Sequence, residues 1–125
     1  MTGDEVRTLC LGLPGTTEKE AWGDADMPGH PTFRVRDKIY VIMAADGSGG
    51  SIRTSREDQT ALIAAFPDAA YVASYVGRYG WVDLAFGGVP DPVLRETIEE
   101  AWARTAPKRV VAQVSSTSME TNGLW

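Results

Sequence analysis

The cationic side chains between positions 34 and 56 are the part of this chain whose types and spacing most clearly suggest a chemistry. Arg34 and Arg36 alternate with Phe33 and Val35, Lys38 follows at once, and Arg53 and Arg56 come shortly after. A period of two on an extended strand sends apolar side chains to one face and charged ones to the other. Guanidinium forks lined up in this way suit phosphate or carboxylate oxygens. A second group, Arg78, Tyr79 and Trp81, combines a cation with aromatic rings. Such a mixture stacks on nucleobases or anchors a protein surface. The candidate contact set is therefore Arg34, Arg36, Lys38, Arg53, Arg56, Arg78, Tyr79 and Trp81.

Two blander uses of the same residues compete with this one. Glu18 and Glu20 could pair across strands with Arg34 and Arg36, cancelling the patch for about 0.2 to 1 kcal/mol each. Tyr71, Tyr75 and Tyr79, spaced by four, would pack along one face of a short helix that Gly77 and Gly80 interrupt.

Other chemistries are poorly supplied. Asp24, Asp26 and His30 fall within seven positions, but with one histidine in the chain their spacing matches no structural or catalytic metal site. The loop from Ala45 to Ser51 is glycine-rich yet lacks the Gly-Lys-Ser/Thr of a phosphate-cradling loop. Cys10 is the only cysteine, which excludes an intrachain disulfide, and it falls on an apolar helical stripe as a small buried hydrophobe. No base and nucleophile pair suggests itself. The expectation is a protein that is not an enzyme and uses no metal or cofactor.

The elements that must position the cations follow from pattern. Thr2-Gly3-Asp4-Glu5 has the form of a capping box, with Val6, Leu9, Cys10 and Leu13 at helical spacing before Pro14 and Gly15. Thr16 to Trp22 alternates as a strand that opens the sheet, and His30 to Met43 reads as the central hairpin, turning at Asp37-Lys38. Ser51 to Arg53 adds a strand that places Arg53 on the face of the hairpin arginines. Thr54 and Ser55 offer overlapping caps for a helix through Leu62, Ile63 and Phe66 that ends at Pro67. Trp81 to Phe86 alternates as a strand. Asp91 caps a last helix with Pro92 at its first position, and Leu94, Ile98, Ala101, Trp102 and Thr105 form its apolar stripe. The domain spans residues 1–107, followed by a tail over 108–125.

The 125 residues fit one domain of ordinary globular composition, with a net charge of −5 that speaks against general affinity for polyanions. The charge is uneven. Residues 32–56 carry five basic against two acidic side chains, whereas residues 57–106 carry eight acidic against three basic. No apolar run approaches a membrane span and the chain starts acidic, so a cytoplasmic protein that avoids membranes is expected.

Leu11-Gly12-Leu13-Pro14-Gly15 with Glu18, Pro31-Thr32-Phe33-Arg34-Val35 with Lys38-Ile39-Tyr40, Gly80-Trp81-Val82-Asp83-Leu84, and Pro92 opening the last helix together resemble the MmcQ/YjbR family over roughly residues 3–107. The resemblance implies an α+β fold similar to CyaY/frataxin, an antiparallel sheet with helices packed on one face. It also implies the family's usual description, predicted DNA binding through a double-wing motif. Carried to this sequence, the wings would be the hairpin around Asp37-Lys38 and the loop at Gly47 to Ser51, with Arg34, Arg36, Lys38 and Arg53 against phosphates. DNA is thus the expected partner, and a protein docking on the same Arg/Tyr/Trp surface is the alternative.

Overall fold

Thr2 accepts a hydrogen bond from the Glu5 amide at 3.1 Å and the Glu5 carboxylate accepts from the Thr2 amide at 3.0 Å, so the capping box opens α1 (Gly3–Gly12). The computed structural model describes residues 1–23, 29–74 and 77–112, and of Arg78 the backbone alone. The expectations for Asp24, Asp26, Tyr75, the Arg78 side chain and the tail from residue 113, with Val114 and Trp125, lie outside the described residues.

After α1 come β1 (Thr16–Ala21), β2 (His30–Val35), β3 (Lys38–Met43), β4 (Gly49–Arg53), α2 (Arg56–Ala65), β5 (Ala70–Val72), a single 3-10 turn (Gly77–Tyr79), β6 (Trp81–Ala85) and α3 (Asp91–Thr105). The strands form one six-stranded sheet in the order β1-β2-β3-β4-β6-β5, and each neighbouring pair is antiparallel. The expected α+β architecture holds, with the helices on one face.

The core lies between that face and the helices. Phe33, Val35, Val41, Ile52, Val82 and Leu84 from the sheet pack with Val6 and Cys10 of α1 and with Leu94, Ile98 and Trp102 of α3. Leu62 and Ile63 of α2 and Phe66 at its C-cap, all partly buried, pack against the same cluster. A β-bulge between Phe33 and Arg34 leaves Tyr40 as the extra residue of β3, and both Tyr40 and Val41 are fully buried. Tyr40 donates to the Cys10 carbonyl at 3.4 Å, so the 2.8 Å bond with Thr16 uses the Thr16 proton. The Trp102 indole donates to the Pro14 carbonyl at 2.8 Å, tying α3 to the end of α1.

Three local expectations need correction. The hairpin turns at Arg36-Asp37, not Asp37-Lys38: Val35 pairs with Lys38, and the two residues between them have φ of 49° and 65°. That is the left-handed pair required by the two-residue hairpin turn whose twist matches the strands. Tyr71 and Tyr79 do not share a helix. Tyr71 lies in β5, where pairing with β6 satisfies its backbone, and Tyr79 lies in the 3-10 turn. The cap of α3 is Pro90, with Asp91 already in the first turn and no side-chain cap bond.

Beyond α3, residues 108–112 are helical, and Val110 and Val111 pack on the core. Packed structure therefore runs past the expected boundary at 107. Among the described residues no buried side-chain nitrogen or oxygen lacks a hydrogen-bond partner, and no helix is long and apolar enough to cross a membrane.

Candidate nucleic-acid interface on the open sheet face

Because Phe33 and Val35 point into the core, Arg34 between them points to the opposite, helix-free face. Its Nε donates to Thr32 Oγ1 at 2.9 Å, and Thr32 in turn donates to the Lys19 carbonyl at 2.5 Å. This relay crosses from β2 to β1 and fixes the direction of the guanidinium through Nε, with no carboxylate on its terminal nitrogens among the described residues. Lys19 stands directly beside Thr32 in the register, so its exposed ammonium joins the same face. Lys19 was absent from the candidate set, although its alternation with Glu18 and Glu20 assigns it to the other side of β1.

The register also decides whether the patch is cancelled. Glu18 lies opposite Phe33, Glu20 opposite Pro31, and Thr17 opposite Arg34. Both glutamates therefore fall on the other side of the strand from Arg34. Glu18 is taken by Arg7 of α1 at 2.9 Å, and this hydrogen bond holds the Arg7 guanidinium above its ordinary pKa. Glu20 accepts from the Gly29 amide at 2.8 Å. Among the described residues Arg34, Arg36 and Lys38 have no carboxylate partner. Arg36 and Lys38 are exposed at the hairpin tip, where Lys38 stands opposite Val35 and so starts from the helix side of the register, reaching the same end of the sheet as Arg34 but not the same face.

The remaining candidates are dispersed. Arg53 Nη1 donates to Thr105 Oγ1 at 3.1 Å, which draws its guanidinium to the last turn of α3 rather than to the hairpin arginines. Arg56 is exposed in the first turn of α2, on a helix just beyond the end of β4 and not on the open sheet face. Tyr79 is exposed in the 3-10 turn. Trp81 is buried, with its carbonyl accepting from Gln59 Nε2 at 2.6 Å, so its ring is not a stacking platform.

The two expected wings lie at opposite ends of β3. The Arg36-Asp37 turn precedes it, and the loop from Ala44 to Ser48 follows it. Six extended residues separate the two by roughly 20 Å. That loop carries no cation. Asp46 accepts from the Ser48 amide at 3.0 Å and its hydroxyl at 2.7 Å, which holds the carboxyl below its ordinary pKa, and Gly47 packs on Gly3 of α1.

A second feature of the open face was not anticipated. In register, Lys19, Thr32, Ile42, Ser51, Asp83 and Tyr71 form one row across all six strands. Over the β3-β4-β6 part of that row lies a depression of about 350 Å³, reached by His30, Ser51, Tyr71 and Asp83 and floored by small residues such as Ala44 and Gly49.

An α+β domain with a six-stranded antiparallel sheet, helices on one face, Lys19 and Arg34 on the other and further cations at the β2-β3 hairpin tip defines the class. The family model YjbR matches residues 11–104, and the chain belongs to the YjbR family. Among solved structures, Deinococcus radiodurans protein DR2400, with a domain described as DUF419, is 22% identical. The match covers 81% of this chain and 75% of that one with a TM-score of 0.70, a likeness of fold. No curated protein matches.

Proposed function

We propose that this chain is a cytoplasmic, non-enzymatic DNA-binding module that holds the phosphate backbone on the sheet edge formed by Lys19, Arg34, Arg36 and Lys38. The supporting observation is that these cations gather at one hairpin and its neighbouring strand while the adjacent glutamates are engaged elsewhere. Arg36 adds to it by occupying a left-handed position that asparagine or glycine fills with less strain. A single wing, the β2-β3 hairpin, does the holding, because the β3-β4 loop has no cation and lies at the far end of β3.

Four phosphate contacts within a molecule of net charge −5 make binding weak and steeply salt-dependent. The slope of log K against log salt should be roughly −3 to −4, a loss of about 100-fold between 50 and 200 mM. Fluorescence anisotropy of labelled duplex DNA across a salt series tests this. The variant R34A/R36A/K38A should bind at least tenfold more weakly with a flatter slope, and R53A should bind as the parent does. Absence of binding at low salt, or an unaltered triple variant, would overturn the proposal.

A further inference from the structure

The depression on the open face is chemically unlike the hairpin. Ser51 Oγ spends its proton on Asp83 Oδ1, and the Tyr71 hydroxyl spends its proton on the Asp68 carbonyl at 2.9 Å. His30 Nδ1 lies 3.3 Å from the Met43 carbonyl, an acceptor that requires the proton on Nδ1, so in the neutral ring Nε2 keeps its lone pair. The hydrogen-bonding capacity left to these side chains is therefore acceptor capacity: the second Asp83 oxygen, Ser51 Oγ, the Tyr71 oxygen and His30 Nε2. Asp83 is half-buried, and among the described residues no lysine or arginine pairs with it.

The surroundings are apolar and flat. Ile42, Ala44 and Ala85 line the floor, and Gly49, on the face it shares with Ser51, leaves it open. A Cβ at Gly49 would come within 2.5 Å of the Leu84 carbonyl, so this part of the floor cannot carry a side chain without moving β6. Tyr71, 56% exposed and directly beside Asp83 in the register, supplies one aromatic wall. On the other side the His30 ring meets Trp22, with centroids 6.5 Å apart. Trp22 is 66% exposed and holds φ of 64°, a conformation a bulky residue adopts at a cost.

A guest for this depression must be flat, rich in donors and positive, since it meets a carboxylate, acceptors, aromatic walls and an apolar floor but no donor. A guanidinium has that description: planar, five N–H donors, no acceptor, and a face that stacks on aromatic rings. The net charge of −5 draws such a cation in and repels anions. We infer that the open-face depression is a receptor for an arginine side chain presented by a protein partner, with Asp83 as the guanidinium's counter-ion and Tyr71 as its stacking wall. This site is independent of the hairpin: phosphate finds no donor in it, and the hairpin cations lie nearer the other edge of the sheet.

Isothermal titration calorimetry of the full chain tests the inference with four probes: a Gly-Arg-Gly peptide capped at both ends, its Gly-Lys-Gly counterpart, guanosine, and free arginine. The arginine peptide should bind saturably and at least fivefold more tightly than the lysine peptide or guanosine. Asp83→Asn keeps the shape and the acceptor for Ser51 while removing the charge, and should weaken arginine binding at least tenfold. Asp46→Asn, an equally acidic position outside the depression, should leave it unchanged. The outcome that overturns the inference is no saturable arginine binding at millimolar peptide, equal binding by D83N, or preference for guanosine. Binding of free arginine with exclusion of the peptide would likewise overturn it, by making the guest a small molecule. The hairpin variant R34A/R36A/K38A should bind the arginine peptide as the parent does, which keeps this result separate from the DNA measurement.

Discussion

Trp22 gains little burial for the backbone strain it holds, so its replacement separates stability from use. Trp22→Gly should leave the fold as stable as the parent or more stable by up to about 1 kcal/mol, read as the urea midpoint, because glycine adopts φ of 64° freely. Cys10 gives the opposite case, a side chain legible from its place on the apolar stripe of α1. It is fully buried, and burial pushes the thiol from 9.0 up to about 12. Burial likewise pushes the Tyr40 hydroxyl above its ordinary 10.0. A folded-state pKa above the unfolded one means that the proton is held more tightly in the fold. The associated stability is complete below pH 9 and is lost as the pH rises toward 12. Denaturant titrations should therefore show stability falling above pH 9 for Cys10 and above pH 10 for Tyr40, by as much as about 1.4 kcal/mol per pH unit for each group, and a thiol reagent should modify Cys10 at neutral pH only as fast as the chain opens. Trp81 shows what alternation alone misses: period two assigns it to the polar side of β6, whereas tertiary packing buries it.

Among the elements, capping made the starts of α1 and α2 legible, while the cap of α3 and the hairpin turn were displaced by one residue. The Thr2 box and the Ser55 cap, which accepts from the Asp58 amide at 3.0 Å, lie where their residue types imply. The β2-β3 turn has no glycine or asparagine to mark it, and Asp37 fits either side of a turn, so the register is displaced by one residue until Val35 is seen opposite Lys38. β5 is three residues long, too short to show a period, and the four-residue spacing of tyrosines imitated a helix. The unmarked turn leads to a prediction at this scale. Arg36→Asn with Asp37→Gly installs the favoured pair and should raise stability by about 1 to 2 kcal/mol while weakening DNA binding severalfold. Thermal unfolding and anisotropy on one preparation check both halves, and a gain in stability without a loss of affinity would show that Arg36 touches no phosphate. Trp102 joins α3 to the sheet and to Pro14, and Trp102→Ala should cost about 3 to 5 kcal/mol in urea unfolding.

Across the whole molecule, local charge contradicts net charge, and register is what separates the two. Charge counts along the chain exposed the basic stretch from Thr32 to Arg56, but the same count included Arg53, which turns to Thr105 on α3, and it left out Lys19, which stands beside Thr32. The acceptor-lined depression was illegible for a related reason. Its His30, Ser51, Tyr71 and Asp83 come from four strands, and no spacing in one chain announces a row that strand order creates. The fold, by contrast, was carried by dispersed short apolar patterns that agree with one another along the domain. The most direct test of the account is amide chemical-shift mapping of the full chain with a short DNA duplex at low salt. The predicted result is saturable perturbation concentrated at Lys19 and at Arg34 to Lys38, suppressed at 200 mM salt, with Ser51 and Asp83 quiet. Perturbation concentrated around Arg56 and Tyr79, or none that saturates, would contradict the assignment of the hairpin edge as the DNA-binding surface.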